Sequence, residues 1–217
     1  MIKLLYANVT PLNDDALFGK YYENASELRQ KKIDELRFRN DKNLVLGSAV
    51  LLDKMLQEFG TDEKSIKYGY GPNGKPYFPY IPSLQFSLSH SGDYAAVAFS
   101  GDAVGCDIEK ISEAKPDIAQ KYFCKEEYEE IMASADKNDA FFRFWTLKES
   151  YMKATGAGFG IAMNSFCITV TDGKVCLTRS ASKGEYGFFE FSDICGYRMS
   201  CCYAGSHLMP VPLEIEL

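Results

Sequence analysis

The sequence predicts an α+β protein built from two lobes of similar size. Three observations support this prediction. Both halves of the 217 residues show helical patterns as well as strands, the strands are short and of the antiparallel type, and no low-complexity linker separates the halves. A hydrophobic content of 46% and a charged content of 25% are ordinary for a globular protein. We place the joint near Gly101–Val104, which divides the chain into lobes 1–102 and 103–217.

The first half begins with an apolar segment typical of a strand, and a turn and a polar helix follow it. Apolar residues then recur at helical spacing until Gly60, which predicts a core helix. Glycine and proline mark a turn-rich segment, and two apolar runs after it predict strands. The predicted elements are strand 2–9, helix 28–37, helix 43–59, turns 68–76, and strands 86–89 and 94–99.

The second half begins with a tight turn, after which the chain is predicted to return as the second strand of a hairpin. Two helical patterns follow, and Gly156 ends the second of them. A run of antiparallel-type strands completes the chain, and the tail 210–217 carries no functional signal. The predicted elements are strand 103–111, helices 117–133 and 138–155, and strands 168–170, 175–178, 187–191 and 197–203.

Bulk properties argue against several classes of protein. A net charge of -6 and a pI near 5.1 do not suit broad binding to nucleic acid or to anionic membranes. No apolar run approaches the roughly 20 residues that cross a bilayer, and residues 1–6 are too short an apolar stretch for a signal peptide. Seven scattered cysteines without a CxxC pair, and only two histidines, argue against a Cys/His metal site. We therefore expect a cytoplasmic protein with reduced cysteines.

Asp107 and Glu109 lie two residues apart in an apolar strand, so their carboxylates point to the same side. The solvent-facing edge of a hairpin shows the same alternation, and this interpretation stays open. Two carboxylates on one face repel each other, however, and a Mg²⁺ ion relieves the repulsion by binding carboxylate, substrate and water oxygens. Because a hard cation with oxygen ligands suits phosphate chemistry, the pair is a candidate magnesium site.

The last predicted helix carries charges on its aromatic face. At about 100° per residue, Lys148 and Glu149 fall within the arc that contains Phe141 and Trp145, and Lys153 lies at its edge. A surface pair of Glu149 and Lys153 at i,i+4 spacing is the simpler alternative, worth about 0.3 kcal/mol. That pair does not explain two charges inside an aromatic arc. Such charges are costly unless they are paired, and a divalent cation with a polyphosphate would pair them.

Three further segments are candidates for binding an anion. Lys75 lies in a Gly-Lys-Pro turn, and the Ser89–His90 pair follows a strand, so that its amides and ring could face a phosphate. The basic stretch 29–39 could hold a second phosphate. An exposed loop lysine and a solvated helix face are the simpler alternatives. A catalytic serine would need the G-x-S-x-G elbow, which this sequence lacks.

Together these segments resemble the 4′-phosphopantetheinyl transferase superfamily, specifically its larger, single-chain, surfactin-synthetase-activating type. The hallmark of that family is a G-x-D-x-E strand followed about 40 residues later by W-x-x-K-E-x-x-x-K on a helix. Gly105–Glu109 and Trp145–Lys153 match both halves of the hallmark at this spacing. Gly74–Pro76 and Phe86–Ser91 match two further family segments in the family's order, and the resemblance spans residues 27–170.

The resemblance implies two pseudo-symmetric lobes, each a small antiparallel sheet packed with helices, with coenzyme A and Mg²⁺ in the cleft between them. The implied metal ligands are Asp107, Glu109 and Glu149, and the implied contacts with coenzyme A are Lys75, Pro76, Ser89, His90, Lys148 and Lys31. The family often has an arginine shortly before the Leu-Gly of the second helix, where this chain has Lys42 and Asn43. The nucleotide contacts therefore stay open among Arg29, Lys31, Lys32 and Lys42.

The implied reaction transfers the phosphopantetheine arm of coenzyme A to a serine of an apo acyl, peptidyl or aryl carrier protein and releases 3′,5′-ADP. Glu149, directly or through a metal-bound water, is the candidate general base, and Lys153 is the candidate to stabilise or protonate the leaving group. The resemblance also implies a monomer. The alternatives are a non-catalytic module that binds coenzyme A or a carrier protein, and a Mg²⁺-dependent phosphatase or nucleotidyl enzyme.

Overall fold

The computed structural model describes all 217 residues apart from the side chain of Phe159, and it confirms the α+β prediction. Eleven strands and six α-helices follow one another in runs along the chain. In the first half these are β1 (Lys3–Asn8), α1 (Asp15–Asn24), α2 (Glu27–Glu35), α3 (Arg39–Leu56), β2 (Gly69–Tyr70), β3 (Pro76–Tyr77), β4 (Gln85–Ser91) and β5 (Tyr94–Ser100). In the second half they are β6 (Val104–Lys110), α4 (Pro116–Tyr122), α5 (Lys125–Ala133), α6 (Lys137–Thr155), β7 (Cys167–Thr171), β8 (Lys174–Arg179), β9 (Tyr186–Phe191), β10 (Tyr197–Ala204) and β11 (Leu213–Glu214).

Two sheets form the framework. The first has the strand order β11-β1-β5-β4 and the second β6-β10-β9, while β2-β3 and β7-β8 form separate hairpins. We call the first sheet with α1–α3 the first lobe, and the second sheet with α4–α6 and the β7-β8 hairpin the second lobe. Alternation along β1 and β5 gives the first sheet two apolar faces. Leu5 and Val97 belong to the core beneath α3, whereas Leu4 and Ala96 belong to a core shared with the second sheet.

The central helix of each lobe packs closely on its sheet because a glycine lies at the contact. A methyl group at Gly47 of α3 would come within 2.6 Å of the Val9 side chain. A methyl group at Gly105 of β6 would overlap the backbone of α6 at Ser150 and Ala154. Gly105 therefore lets the strand of the acidic pair lie directly against the helix that carries Glu149.

The predicted hairpin between strands 94–99 and 103–111 is wrong. β5 is a central strand whose two edges already bond β1 and β4, so no edge remains for β6. Instead β6 pairs antiparallel with β10, from Val104 opposite Tyr203 to Lys110 opposite Tyr197. The acidic pair thus lies on the edge strand of the second sheet, beside β4 of the first.

The helix boundaries also differ from the prediction. A separate helix, α1, precedes α2; Asp14 caps it by accepting a hydrogen bond from the Leu17 amide, and Ser26 caps α2 in the same way. The single helix predicted at 117–133 is two helices, because the chain is extended at Phe123 and Cys124. Cysteine is not a typical N-cap residue, so the sequence carried little signal for this break.

The C-terminal tail returns to the first lobe. β11 pairs in parallel with β1, and Ile215 and Leu217 pack against the core of the first lobe. Residues that the predicted division assigns to the second lobe therefore extend the first sheet. Within the described residues, no helix combines the length and the apolar character needed to cross a membrane.

One pair of cysteines departs from the predicted reduced state. A disulfide joins Cys124, at the start of α5, to Cys167, at the start of β7. The two residues are 43 positions apart in sequence, so this contact was not predictable from local spacing. Cys106, Cys176, Cys195, Cys201 and Cys202 are free thiols.

Candidate active site

A cavity of about 580 Å³ opens between the two lobes, a volume typical of a small-molecule site. The first lobe lines it with α2, α3, β4 and the 73–76 turn, and the second lobe with β6 and α6. Eight of the predicted site residues meet here: Lys75, Pro76, Ser89, His90, Asp107, Glu109, Glu149 and Lys153. Two of the predicted residues, Lys31 and Lys148, do not line the cavity.

Asp107 is the most buried carboxylate of this cavity, with 3% of its surface exposed. Its Oδ1 accepts hydrogen bonds from the Ser89 hydroxyl at 2.7 Å and from Lys153 Nζ at 2.6 Å. Its Oδ2 is buried and has no hydrogen-bond partner among the described residues. An ionised carboxylate oxygen without a partner is costly inside a protein, so this atom fits the vicinity of a cation.

Glu109 and Glu149 complete an acidic wall on the second lobe. Burial, followed by repulsion from Asp107, raises the pKa of Glu109, although the Ser91 hydroxyl donates to its Oε2 at 2.6 Å. Burial also raises the pKa of Glu149 to about 7, with Asp107 and Glu109 adding to the effect. Two carboxyls whose pKa values are raised by burial and by a neighbouring carboxylate present a field that favours a divalent cation.

Lys153 is the only positive group that contacts this wall directly within the described part of the chain. Burial, the largest single effect, would lower its pKa, but the combined effects of Asp107, Cys106 and Glu149 outweigh burial and hold the pKa above its ordinary value. Its ammonium also donates to the Ser89 hydroxyl at 3.0 Å. Lys153 is therefore a charged lysine that is held beside Asp107 and lines the cavity.

The acidic wall is open and does not form a closed metal cage. Among the described residues, the one trio of Cys, His, Asp or Glu whose potential ligand atoms all lie within 4.8 Å of one another is Cys124, Glu127 and Cys167, away from the cavity, and its two cysteines are joined in the disulfide. Mg²⁺ commonly uses one or two carboxylates together with substrate phosphates and water, so an open acidic wall still suits it. The oxygen-only donor set of the wall also fits Mg²⁺.

The first lobe supplies the positive side of the cavity through Arg29, Lys32 and His90. The buried carboxylate of Glu63 bonds Arg29 Nε at 3.3 Å and accepts from Tyr68 at 2.9 Å, which fixes the base of the arginine side chain. Partial removal from water, and then the charge of Lys153, lowers the pKa of His90. Burial, and then the neighbouring Arg29, lowers the pKa of Lys32. Such a site favours an anion, which would relieve the crowding of positive charge.

Among the basic residues left open by the sequence, the structure brings Arg29 and Lys32 into the cavity and leaves Lys31 and Lys42 outside its lining. Lys31 lies on the exposed side of α2. The expected contact of Lys31 with coenzyme A therefore stays a prediction, while its neighbours Arg29 and Lys32 line the cavity. Asn43 is buried, and its amide donates to Asn13 at 2.8 Å, so it has a structural partner within the first lobe.

Lys75 lines the cavity, but its ammonium points into the protein. Nζ donates to the carbonyl oxygens of Val104 at 2.9 Å and Ala154 at 3.3 Å, both in the second lobe. Burial lowers the pKa of Lys75 to about 8. The side chain thus ties the 73–76 turn to β6 and to the end of α6 in this structure.

Lys148 lies in the core of the second lobe, so the expected contact of Lys148 with coenzyme A is corrected. It has no exposed surface, and its Nζ donates to Glu127 Oε1 at 2.7 Å and to the Phe166 carbonyl oxygen at 3.1 Å. Its ammonium also lies 4.1 Å from the centre of the Phe166 ring. The partner that Lys148 requires is therefore α5 of this chain.

Residues that the sequence did not single out also shape the cavity. Asn73 lines it beside Lys75, and its amide donates to the Gly156 carbonyl oxygen at 3.2 Å. Ser91 bonds the Glu109 carboxylate, as described above. One signal pointed to Ser91: hydroxyls occur at every second residue of Ser87–Ser91, which places three of them on one face of β4.

Comparison with known proteins identifies the family to which this chain is related. A family model described as the 4′-phosphopantetheinyl transferase superfamily matches residues 103–202. The 4′-phosphopantetheinyl transferase gsp of Aneurinibacillus migulanus is 30% identical over 207 residues, which cover 93% of this chain and 86% of that protein. The 4′-phosphopantetheinyl transferase psf-1 of Bacillus pumilus is 31% identical over 78% of this chain and 74% of its own. The corresponding protein Sfp of Bacillus subtilis (strain 168) is 29% identical over 74% and 73%.

Proposed function

Because this chain belongs to the 4′-phosphopantetheinyl transferase superfamily, we propose that it transfers the 4′-phosphopantetheine group of coenzyme A to a serine of an apo carrier protein and releases 3′,5′-ADP. The observation that carries the proposal is the division of charge in one cavity. The first lobe lines the cavity with basic side chains. The second lobe lines it with an acidic wall, in which one oxygen of Asp107 has no partner among the described residues. A polyphosphate and a divalent cation complement such a cavity.

Asp107, Glu109 and Glu149 would hold Mg²⁺, and Lys153 accompanies them. When bound, the ion would neutralise charge on the pyrophosphate of coenzyme A. The orphaned Oδ2 of Asp107 and the raised pKa of Glu149 both support this role, since each describes a carboxylate group in need of a positive partner. The open arrangement of the three groups leaves room for substrate oxygens.

Arg29, Lys32 and His90 are the groups that would bind the phosphates of coenzyme A. Arg29 is held by buried Glu63, so little side-chain entropy would be lost when it binds an anion. The pKa of His90 lies below its ordinary value in the ligand-free cavity, and a phosphate beside the ring would raise it. Ligand binding and protonation of His90 would therefore favour each other.

The proton of the carrier serine would pass to Glu149. In the transfer the serine oxygen forms a bond to the phosphorus next to the pantetheine arm, and the bond from that phosphorus to the oxygen of the 3′,5′-ADP leaving group breaks. The pKa of the Glu149 carboxyl is about 7 without a cation, and a bound cation would lower it, so Glu149 would be an ionised base at neutral pH. Lys153 stays charged in the cavity, where it would stabilise the negative leaving group.

We further expect the carrier to approach the open mouth of the cavity as a separate protein, and one copy of this chain to be sufficient for the reaction. The single cavity of the proposed site is lined by both lobes of the same chain, which supports a monomer. The chain's net charge of -6 makes nucleic acid an unsuitable partner.

The test is incubation of the protein with coenzyme A, Mg²⁺ and a panel of apo carrier proteins, with intact-mass measurement of the carrier. A mass gain of one phosphopantetheine supports the transferase, release of phosphate alone supports a hydrolase, and coenzyme A binding without modification supports a binding module. Asp107→Ala and Glu149→Gln should abolish the mass gain while circular dichroism shows an intact fold. Glu113→Gln, an exposed glutamate outside the cavity, is the matched control and should leave transfer unchanged. Near-normal transfer by either cavity variant would refute the assignment of the acidic wall.

A further inference from the structure

The two lobes are joined along β4 and β6 by side chains instead of a backbone ladder. Backbone amides of β6 that do not face β10 donate to serine hydroxyls of β4. The three bonds run from Cys106 N to Ser87 Oγ at 3.0 Å, from Ile108 N to Ser89 Oγ at 3.3 Å, and from Lys110 N to Ser91 Oγ at 3.2 Å. We call this set of contacts the serine ladder. The ladder places the hydroxyl of every second residue of β4 beside the amide of every second residue of β6.

Two of the three serine hydroxyls in the ladder also donate a hydrogen bond to a carboxylate, and the third does not. Ser89 accepts from Ile108 and donates to the preceding carboxylate, Asp107, at 2.7 Å. Ser91 repeats the pattern, since it accepts from Lys110 and donates to Glu109 Oε2 at 2.6 Å. At Ser87 the corresponding preceding residue is Gly105, which has no side chain to accept a bond.

We propose that Ser91 is a positioning residue that fixes the Glu109 carboxylate for cation binding, and that the serine ladder thereby ties the metal-binding strand of the second lobe to the first lobe. The inference deepens the proposed function and rests on it, because it takes Glu109 as a metal ligand. The amide of Lys110 orients the Ser91 hydroxyl, and the hydroxyl hydrogen then holds one oxygen of Glu109. Partners that orient a metal ligand commonly change metal affinity about 10- to 100-fold when they are removed.

Ser91 is a cleaner test of this arrangement than Ser89. The Ser89 hydroxyl contacts Lys153 as well as Asp107, so its loss would disturb two candidate catalytic groups at once. The Ser91 hydroxyl contacts one carboxylate and one amide. Ser87 supplies the matched control, because Ser87→Ala also removes one ladder bond but no bond to a carboxylate.

The experiment measures cation binding directly. The chain has a single tryptophan, Trp145, which lines the cavity with Glu109. Excitation of Trp145 at a wavelength that tyrosine does not absorb should therefore sensitise Tb³⁺, a hard cation with oxygen ligands, when Tb³⁺ alone is added to the whole protein. We expect Ser91→Ala to weaken Tb³⁺ binding about tenfold and Ser87→Ala to weaken it less than twofold. Asp107→Asn identifies the part of the signal that comes from the acidic wall.

A second pair of variants protects the result from effects on folding. Threonine and valine have the same shape and both suit a strand, so Ser91→Thr and Ser91→Val differ mainly in the hydroxyl. Ser91→Thr should keep the Tb³⁺ affinity within about twofold of wild type, and Ser91→Val should lose about tenfold. Equal affinities for this pair, or an equal loss in Ser87→Ala and Ser91→Ala, would overturn the positioning role alone. A wild-type signal that Asp107→Asn does not reduce would overturn the proposed metal site and this inference with it.

Discussion

Replacement of Glu149 by glutamine should make the metal-free protein more stable at pH 8. Burial, with repulsion from Asp107 and Glu109, raises the pKa of this carboxyl from its ordinary 4.5 to about 7. A difference of this size between the folded and unfolded states corresponds to about 3 kcal/mol of lost stability once the group is fully ionised. Glutamine keeps the shape of the neutral acid and carries no charge, so Glu149→Gln removes the cost.

The sign of the effect fixes its pH window. Below about pH 4.5 the carboxyl of Glu149 is protonated in both states, so wild type and variant should have equal stability. Between pH 4.5 and 7 the unfolded chain releases this proton while the folded chain retains it, which favours unfolding of the wild type. Above about pH 7 the carboxyl of Glu149 is ionised in both states, and the difference in unfolding free energy between wild type and variant is largest. The advantage of the variant should therefore grow from near zero at pH 4.5 to about 2–3 kcal/mol at pH 8.

Urea denaturation of wild type and Glu149→Gln at pH 4.5, 6 and 8, with a chelator present, measures this advantage. Glu113→Gln, which removes an exposed carboxylate, should change the free energy of unfolding by less than 0.5 kcal/mol at each pH. Addition of Mg²⁺ should stabilise the wild type at pH 8 but not the variant, because ligand binding to the folded state adds stability. An advantage of Glu149→Gln that is absent at pH 8, or equal at pH 4.5 and 8, would refute the reasoning.

Three further changes test how the framework holds the site. Gly105→Ala should lower the free energy of unfolding by more than about 3 kcal/mol in urea and abolish carrier modification, because the methyl group overlaps the α6 backbone at Ser150. Reduction of the Cys124–Cys167 disulfide, which closes a loop of 43 residues, should cost up to about 4 kcal/mol and lower Tm; an unchanged Tm in dithiothreitol would contradict its structural role. Lys148→Met should cost about 3–5 kcal/mol by leaving a buried carboxylate unpaired, while calorimetry shows an unchanged affinity for coenzyme A.

The predictability of the fold from sequence depended on how local each signal was. Apolar residues at helical spacing over many turns predicted α3 and α6 within a few residues of their ends, and Gly156 ends α6 in a left-handed conformation as expected. β11 has two residues and exists because β1 offers it an edge, so no local pattern announced it. The partner of β6 depended on which edges of β5 were already occupied, which is a property of the whole sheet.

The neighbouring residues Lys148 and Glu149 show why part of the site could not be predicted. A helical wheel placed both in one aromatic arc, and the energetic argument required a partner for each. The wheel gives the direction of a side chain from the helix axis but not the segment that packs opposite it. Glu127, 21 residues earlier, pairs with Lys148 at 2.7 Å, so the requirement is met within the chain.

On the other side of α6 the chain does not supply a partner for every buried carboxylate oxygen. Glu149 faces β6, where burial, with repulsion from Asp107 and Glu109, raises its pKa. The one lysine that contacts this group of carboxylates, Lys153, pairs with a single oxygen of Asp107. The second oxygen of Asp107 has no partner among the described residues. A charge in an apolar face therefore indicates a ligand only after the chain's own counter-charges have been counted. By that criterion the acidic wall is the candidate binding site, and Lys148 is part of the core.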